Sequence, residues 1–325
     1  MKRFILALLS VATIAVAAEE LNDADKKSVA EANQFFERGN KFAQDNSLQR
    51  AKSEYQKALR IFPRHVDALY NLAVACEKLG QNDEAVEHYR HYLDIRPNDA
   101  DVWTQLGVRY DEDGQKTEAQ AAYEKALAID PKFGLAHHNL GVLLKERGDL
   151  DAAQKHFETF VKLEEDAGRR NGDAYYSLGA LQLARGHVKE AKQLFQQALD
   201  VDPSISYYNN AMGDVYLIEA EIEMAISAYK KAMEKDAKYA PAYSGLGDAY
   251  RQKGDRVEAD KAYRRALELR KDYTLIHYKL GLLFEATNPG VAIKEFETYL
   301  GSGKNAEFQT EAKAKIEKLK QVQTK

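Results

Sequence analysis

A pattern of residues that recurs every 34 positions constrains the fold of this chain more than any other feature of its sequence. Its clearest copy runs from Trp103 to Pro131. Copies begin at residues 32, 66, 100, 134, 172, 206, 240 and 274, and only the fourth step, of 38 residues, departs from the period. Periods of this length are typical of helical repeats, in which each unit buries its apolar face against its neighbours. The sequence therefore predicts an all-α fold of stacked helical hairpins.

Each residue type in the pattern has a packing role. Trp103 and Leu106 are large enough to fill the space between two antiparallel helices, while Gly107 lets the two backbones approach closely. Gly114 can adopt the left-handed conformation that ends a helix. The residues expected to end the first helix in other copies are Asn46, Gly80, Gly148, Gly186 and Gly254. These spacings predict a helix, a tight turn and a second helix in each copy.

The pattern resembles the tetratricopeptide repeat. A Leu-Gly pair in the first helix and an alanine followed by an aromatic residue in the second helix carry the resemblance. The equivalents of the Leu-Gly pair are Leu72-Ala73, Leu106-Gly107, Leu140-Gly141, Leu178-Gly179, Met212-Gly213, Leu246-Gly247 and Leu280-Gly281. The resemblance implies an α-α superhelix, or solenoid, of about eight helix-turn-helix units. It also implies that the first helix of every unit lines the concave side.

The array departs from its own pattern in three places. The first copy has Arg38-Gly39 where Leu-Gly is usual, which indicates a divergent terminal repeat. Four extra residues fall within 165–172 and are expected to lengthen a helix or loop. We place a boundary there, between repeats 1–4 (residues 32–171) and repeats 5–8 (residues 172–304). The eighth copy is one residue short near Pro289.

The ends of the second helices are less uniform than the turns inside the hairpins. Prolines stand after the second helix at Pro63, Pro97, Pro131 and Pro203. The equivalent residues elsewhere are Glu165, Ala237 and Lys271, which leaves open whether those helices run further. Residues 305–325 are predicted to form a capping helix and tail, because their apolar residues lie on one stripe. That stripe contains Phe308, Ala312, Ile316 and Leu319.

Residues 1–18 are predicted to be an export signal that is cleaved near Ala18. Lys2 and Arg3 precede an apolar run, and small residues precede Glu19. The run is shorter than the roughly 20 residues that a membrane-spanning helix needs. The alternative is an anchor that is not cleaved. We expect a soluble periplasmic protein in which residues 19–31 form a leader and no stable membrane insertion remains.

Charge and cysteine content narrow the classes of partner. The chain has a formal net charge of −4, so it lacks the basic surface that binding to a nucleic acid backbone requires. Its single cysteine, Cys76, cannot form a disulfide within the chain. We therefore expect a protein or peptide partner and no nucleic acid, and we leave a homo-oligomer open.

No motif in the sequence predicts chemistry. Glycine-rich phosphate loops, dinucleotide fingerprints and nucleophile elbows do not occur. Cys76 occupies a core position that is aromatic in several other copies. His88 and His91 lie three residues apart on one helix, but no cysteine or third histidine follows at ligand spacing. We expect no catalytic residue, no cofactor and no metal ion.

The resemblance implies a partner-binding groove on the concave side, because a few fixed positions of the first helix commonly contact the ligand in this family. The residues at those positions are Asn40, Tyr70, Asn71, Val74, Thr104, Val108, Asn139, Val142, Tyr176, Asn210, Asp214, Asp248, Arg251 and Tyr278. Asparagine at the position of Asn71 and Asn139 can hold a peptide backbone in related arrays. The alternative is that the tyrosines simply pack between neighbouring repeats. The basic clamp of chaperone-binding members is absent.

These observations lead to a hypothesis about function. The chain is expected to be a non-enzymatic scaffold or adaptor of the cell envelope that binds a protein or peptide segment in its concave groove. Two alternatives stay open at this point. One is a structural protein that assembles with itself, and the other is an accessory subunit of an envelope enzyme complex.

Overall fold

The computed structural model describes residues 23–302 and 308–323, and the predicted export signal lies outside these residues. All regular structure in the described residues is α-helical, which confirms the predicted fold class. No helix in this part of the chain is both long and apolar enough to cross a membrane. The helices are α1 (Asp23–Gln44), α2 (Leu48–Ile61), α3 (Val66–Lys78), α4 (Asn82–Ile95), α5 (Ala100–Glu112), α6 (Lys116–Ile129), α7 (Gly134–Glu146), α8 (Leu150–Asp166), α9 (Gly172–Ala184), α10 (Val188–Val201), α11 (Ser206–Ile218), α12 (Ile222–Lys235), α13 (Ala240–Lys253), α14 (Arg256–Leu269), α15 (Leu275–Phe284), α16 (Pro289–Gly301) and α17 (Gln309–Gln323).

The described helices other than α7 fall into two compact units, which we call the N-terminal unit (up to residue 143) and the C-terminal unit (from residue 144). Within the N-terminal unit, α1 pairs with α2, α3 with α4, and α5 with α6. Within the C-terminal unit, α9 to α16 form four more hairpins in the same way. The second helix of each of these hairpins also packs on the first helix of the next hairpin in its unit. Each unit is therefore a row of stacked hairpins.

A glycine and a tyrosine set the close approach of the two helices in a hairpin. A Cβ atom built on Gly107 would lie 2.5 Å from Cε1 of Tyr123, so only glycine leaves room for the tyrosine ring. The ring and Leu106 are buried and fill the seam. Trp103 contributes less than expected, because its indole is partly exposed and its Nε1 donates a hydrogen bond to the Pro97 carbonyl at 2.8 Å.

The turns inside the hairpins have the predicted left-handed residue. Gly114 has a φ of 76°, and the asparagine at the same position in the first repeat, Asn46, has a φ of 55°. The sixth repeat departs from this chemistry, because Ala220 adopts a φ of 59° although it carries a Cβ atom. The turn geometry is therefore kept where the sequence does not provide glycine.

Second helices that no proline follows are not, in general, longer than those that a proline follows. The helices α12 and α14 are 14 residues long, like the second helices that proline follows. Only α8 is longer, with 17 residues, so the four-residue insertion partly extends this helix. The last helix, α17, packs on α16, and Ala312, Ile316 and Leu319 are buried in that contact. This is the arrangement expected of a capping helix.

Candidate functional site

The first helices of neighbouring hairpins lie side by side in the C-terminal unit, where α11 contacts both α9 and α13, and α13 contacts α15. Side chains on these helices therefore share one surface, which we call the first-helix face. In the N-terminal unit, a side-chain hydrogen bond joins α1 and α3 directly. The predicted partner-binding residues lie on these first helices, so their exposure and bonding decide what each face can bind.

In the N-terminal unit the first-helix face begins with two asparagines that are hydrogen-bonded to each other. The Oδ1 atom of Asn40 accepts hydrogen bonds from the Tyr55 hydroxyl and from Nδ2 of Asn71, both at 2.9 Å. Asn71 is therefore already engaged in joining two repeats. Tyr70 is partly exposed and its ring lies 6.2 Å from that of Tyr89, centroid to centroid. Burial and the nearby Asp101 carboxyl raise the pKa of Tyr70 to about 12.

The remaining predicted residues of the N-terminal unit differ in accessibility. The side chains that are partly exposed are Val74, Val108, Asn139 and Val142. Thr104 is only 2% exposed and its hydroxyl donates to the Ala100 carbonyl at 2.8 Å. It therefore does not contribute accessible surface, because its helix turns that position toward the core.

Tyr278, near the end of the C-terminal unit, is also buried, with 5% of its surface exposed. Its ring stacks on Phe308 with 4.6 Å between centroids and 12° between planes. The phenylalanine comes just before the capping helix, so covering the end of the array removes this tyrosine from the accessible face. For Tyr278, packing between neighbouring elements is what the structure shows.

Tyrosines gather at the start of the first-helix face in the C-terminal unit. The rings of Tyr176 and Tyr207 meet edge to face with their centroids 4.9 Å apart, and Tyr207 meets Tyr208 in the same way at 4.8 Å. The hydroxyls of Tyr207 and Tyr208 both donate to Oδ1 of Asp173, the latter at 2.6 Å. Tyr176 is partly exposed, and Asp173 is exposed. This cluster combines rigid aromatic surface with a carboxylate.

Two carboxylates continue this face. Asp214 accepts from the Tyr229 hydroxyl at 2.7 Å on one oxygen and from Nδ2 of Asn210 at 3.1 Å on the other. Burial raises the pKa of Asp214 to about 6, and the Asp248 carboxylate adds to the rise, while the Tyr229 hydrogen bond and the charge of Lys279 oppose it.

The second carboxylate has a different partner. Asp248 accepts from the Tyr263 hydroxyl at 2.7 Å on one oxygen and forms an ion pair with Lys279 through the other. The Lys279 ammonium also donates to the Ser244 hydroxyl at 2.9 Å. Arg251, the next predicted residue on this helix, is exposed. Sequence reasoning did not select Lys279 or Ser244, although both occupy first helices and Lys279 stands at the repeat position of Asn71.

One polar cluster lies outside the predicted groove. Ligand atoms of Cys76, Glu84 and His88 all lie within 4.8 Å of one another, and Cys76 is buried. The Lys52 ammonium donates to both carboxylate oxygens of Glu84, at 2.8 and 2.7 Å. Burial raises the pKa of the Cys76 thiol to about 11. A divalent cation would have to displace this ammonium, so we assign the cluster to the contact between the first two hairpins.

Spacing along the sequence does not by itself indicate this cluster. His88 and His91 lie three residues apart, and the centroids of their rings are 6.5 Å apart. Glu84 lies four residues before His88 and so shares its helix face. The signal that could have found the cluster is the small residue Cys76 in the preceding helix, which leaves room for these side chains and for Lys52.

Comparison with known sequences identifies the family. Four sequence models described as tetratricopeptide repeat or TPR repeat match residues 42–106, 100–133, 133–204 and 247–288. The chain therefore belongs to the tetratricopeptide repeat family. No curated protein matches the chain as a relative.

Solved structures agree with this assignment at the level of the fold. A crystal structure of the APC/C hetero-tetramer Cut9-Hcn1 is 19% identical with a TM-score of 0.66; the match covers 95% of this chain and 58% of that chain. A tetratricopeptide repeat protein from Parabacteroides merdae is 18% identical with a TM-score of 0.67, and the match covers 78% and 98% of the two chains. The pilF protein of Pseudomonas aeruginosa is 18% identical with a TM-score of 0.56, covering 66% and 96%. This chain thus spans 58% of the first of these proteins.

Proposed function

We propose that this protein is a non-enzymatic scaffold that binds a segment of a protein partner on the first-helix face of its C-terminal unit. The observation that carries the proposal is a row of accessible polar and aromatic groups on three neighbouring first helices. Tyr176, Asn210, Asp214 and Asp248 are all partly exposed there, and Arg251 is exposed. Aromatic rings and arginine contribute strongly to protein interfaces, and neighbouring amides and carboxylates give specificity.

Several features support binding rather than catalysis. The carboxylates on this face hold tyrosine hydroxyls of their own hairpins, as Asp214 holds Tyr229 and Asp248 holds Tyr263. Such groups are positioned by the packing and are suited to recognise a ligand. The family assignment points the same way, because tetratricopeptide repeats generally act as interaction modules.

The proposal includes a location in the cell envelope, which for a bacterium would be the periplasm. Its support is the sequence of residues 1–18, with two basic residues, an apolar run and a small-residue site near Ala18. Cell fractionation with mass spectrometry of the N-terminus tests this part separately. A protein that stays in the cytosol with residues 1–18 intact would contradict the location and leave the binding face untouched.

Site-specific photocrosslinking in native cells tests the binding face. A photoreactive phenylalanine analogue replaces Tyr207 or Arg251 on the first helices, and Val257 on the second helix α14 provides the control because it is 64% exposed. We expect crosslinks to a protein partner from the two first-helix positions and few from the control.

The outcome of this experiment separates the alternatives. Equal crosslinking at all three positions, or none at the first-helix positions, would overturn the proposed face. Crosslinks from these positions to a second copy of the same chain would favour self-assembly over a scaffold for another protein.

A further inference from the structure

A recurring contact joins consecutive repeats on the first-helix face. At two junctions the ninth residue of one repeat accepts a hydrogen bond from the sixth residue of the next. In the N-terminal unit, Asn40 accepts from Nδ2 of Asn71 at 2.9 Å. In the C-terminal unit, Asp248 accepts from the ammonium of Lys279. Each acceptor is also held by a tyrosine hydroxyl of its own hairpin, Tyr55 or Tyr263.

Asp214 occupies the ninth position of the repeat that begins at residue 206, but the sixth position of the next repeat is Gly245. Glycine has no side chain and cannot supply the donor. The packing explains this choice, because a Cβ atom on Gly245 would lie 2.3 Å from Cε1 of Tyr229. The hydroxyl of that same tyrosine holds Asp214 at 2.7 Å. Tyr229 therefore donates to one oxygen of Asp214, and its ring leaves no room at position 245 for a side chain that could donate to the other oxygen.

The surroundings of Asp214 have more acceptors than donors. In the part of the chain that the structure describes, the second oxygen of its carboxylate accepts a hydrogen bond only from Nδ2 of Asn210, on its own helix. The Oδ1 atom of Asn210 is buried and has no hydrogen-bond partner among the residues that the structure describes. The nearby cation, Lys279, is already bonded to Asp248 and Ser244. A buried amide oxygen without a donor is costly, and the carboxylate oxygen beside it can accept a second hydrogen bond, so a ligand that brings donors is favoured.

Two tyrosines lie near the Asp214 carboxylate. Tyr176 belongs to α9 in the preceding repeat, and Tyr239 is the last residue of the repeat that contains Asp214, just before α13. Burial raises the pKa of both phenols, and the Asp214 carboxylate adds to the rise in each case. Phenol groups from two repeats therefore lie near this carboxylate and can contact the apolar stem of a long cationic side chain.

We propose that Asp214 recognises a positively charged side chain, lysine or arginine, of the partner segment, and that this side chain supplies the donor that Gly245 cannot. This inference rests on the proposed function, because it names the chemistry of the partner at the same face. The ammonium of Lys279 beside Asp248 is the internal counterpart of the expected contact.

Nuclear magnetic resonance titration of the purified protein tests the inference with defined probes. The probes are N-acetyl-arginine amide and its neutral isostere N-acetyl-citrulline amide. We expect the arginine probe to shift the backbone signal of Gly245 and the side-chain amide signal of Asn210 in a saturable manner. The citrulline probe should bind at least about tenfold more weakly, since it retains the shape and loses the charge.

Three variants sharpen the test. Asp214→Asn should weaken binding of the arginine probe by about tenfold or more, because it removes the charge and keeps an acceptor for Tyr229. Lys279→Met should strengthen binding at least about twofold, because it removes a competing cation. Asp200→Asn is the matched control, since Asp200 is an exposed carboxylate on the second helix α10, and should leave binding unchanged.

The result that overturns the inference is equal binding of the two probes, the absence of a saturable shift at Gly245 and Asn210, or unchanged affinity in Asp214→Asn. Weaker binding in Lys279→Met would also contradict it, provided that the spectrum shows a folded variant. If photocrosslinking at Tyr207 succeeds while the arginine probe fails, the scaffold function stands and only the charge preference is wrong.

Discussion

The N-terminal and C-terminal units place different chemistry at the same positions of one repeat framework. The ninth residue of the repeat is Asn40, Val74, Val108 or Val142 in the N-terminal unit. In the C-terminal unit the same position holds Ala180, Asp214, Asp248 or Leu282. The first set is neutral and mainly apolar, whereas the second contains two carboxylates. Ligand chemistry can therefore change from hairpin to hairpin while the packing that defines the fold stays the same.

The ninth position also has a structural role wherever it is polar. Asn40, Asp214 and Asp248 each accept the hydroxyl of a buried tyrosine in the second helix of their own hairpin. In the repeat with Val74 at this position, the hydroxyl of Tyr89 donates to Glu77 instead, at 3.2 Å. Truncation of either aspartate to alanine would mix a folding defect with a binding defect. Substitution by asparagine keeps the acceptor and isolates the charge.

Exchanging the sixth-position residues of the two units should change the free energy of unfolding more than any other substitution considered below. Gly245→Asn places a Cβ atom 2.3 Å from the Tyr229 ring and should destabilise the protein by about 1–3 kcal/mol through overpacking. The reciprocal change, Asn71→Gly, removes a donor to Asn40 and adds a glycine inside a helix. It should cost about 1 kcal/mol, since Asn40 keeps its bond from Tyr55.

Urea unfolding of the two variants, followed by circular dichroism, measures this difference. A repeat array weakens most near the altered repeat, so hydrogen exchange should rise in α11 to α14 for Gly245→Asn and in α1 to α4 for Asn71→Gly. Equal midpoints for the two variants would show that the close contact at Gly245 relaxes without cost. The two units would then tolerate the same sixth residue.

The next prediction concerns the charge that distinguishes the C-terminal unit. Asp214→Asn should stabilise the protein at pH 7.5 by about 1–2 kcal/mol, because a largely desolvated carboxylate becomes a neutral acceptor. The folded-state pKa of Asp214 is raised to about 6, above the value of about 3.9 for an unfolded aspartate. The folded wild-type protein therefore gains stability as the pH falls from 6 toward 4. The advantage of the variant should vanish over the same range.

Thermal melting of the wild-type protein and of Asp214→Asn between pH 4 and 7.5 measures whether their stabilities become equal in acid. The groups that act on Asp214 are Tyr229, Lys279 and Asp248. A constant difference between the two melting temperatures over this range would contradict the raised pKa. In the N-terminal unit, Asn40 stands at the ninth position and does not titrate, so Asn40→Asp should lower stability at pH 7.5 and lose that effect in acid.

The sequence predicted the parts of this molecule that depend on spacing. The 34-residue period gave the start of nearly every first helix, and the glycine at 114 marked a left-handed turn. The period follows from the burial of apolar faces between neighbouring units, and the turn follows from the backbone freedom of glycine. The fold could therefore be derived without knowing a single side-chain contact.

The candidate site was predicted less well, because its properties depend on neighbours that are far apart in sequence. Thr104 stands at a groove position, yet it is only 2% exposed, as is Ser244 at the same position of a later repeat. The role of Lys279 becomes visible only when Asp248, 31 residues earlier, is placed beside it. That Gly245 gives Asp214 no side-chain donor can be seen in the sequence only when the ninth position of one repeat is aligned with the sixth position of the next.

The smallest expected effect compares the turns of the two units. Ala220 in the C-terminal unit has a φ of 59°, and Gly114 in the N-terminal unit has a φ of 76°. The following residues form the same hydrogen bond, from Glu221 N to the Tyr216 carbonyl and from Gln115 N to the Tyr110 carbonyl, both at 2.8 Å. Only the alanine carries a Cβ atom in this left-handed conformation.

Ala220→Gly should therefore stabilise the protein by about 0.5 kcal/mol. Removing the left-handed strain of roughly 1–2 kcal/mol is partly offset by the larger entropy that glycine gives the unfolded chain. Gly114→Ala should destabilise by a similar amount, because a Cβ atom at Gly114 meets no other group and adds strain alone. Paired urea titrations of the two variants should shift in opposite directions. A shift in the same direction would mean that the two turns are not equivalent, despite their common hydrogen bond.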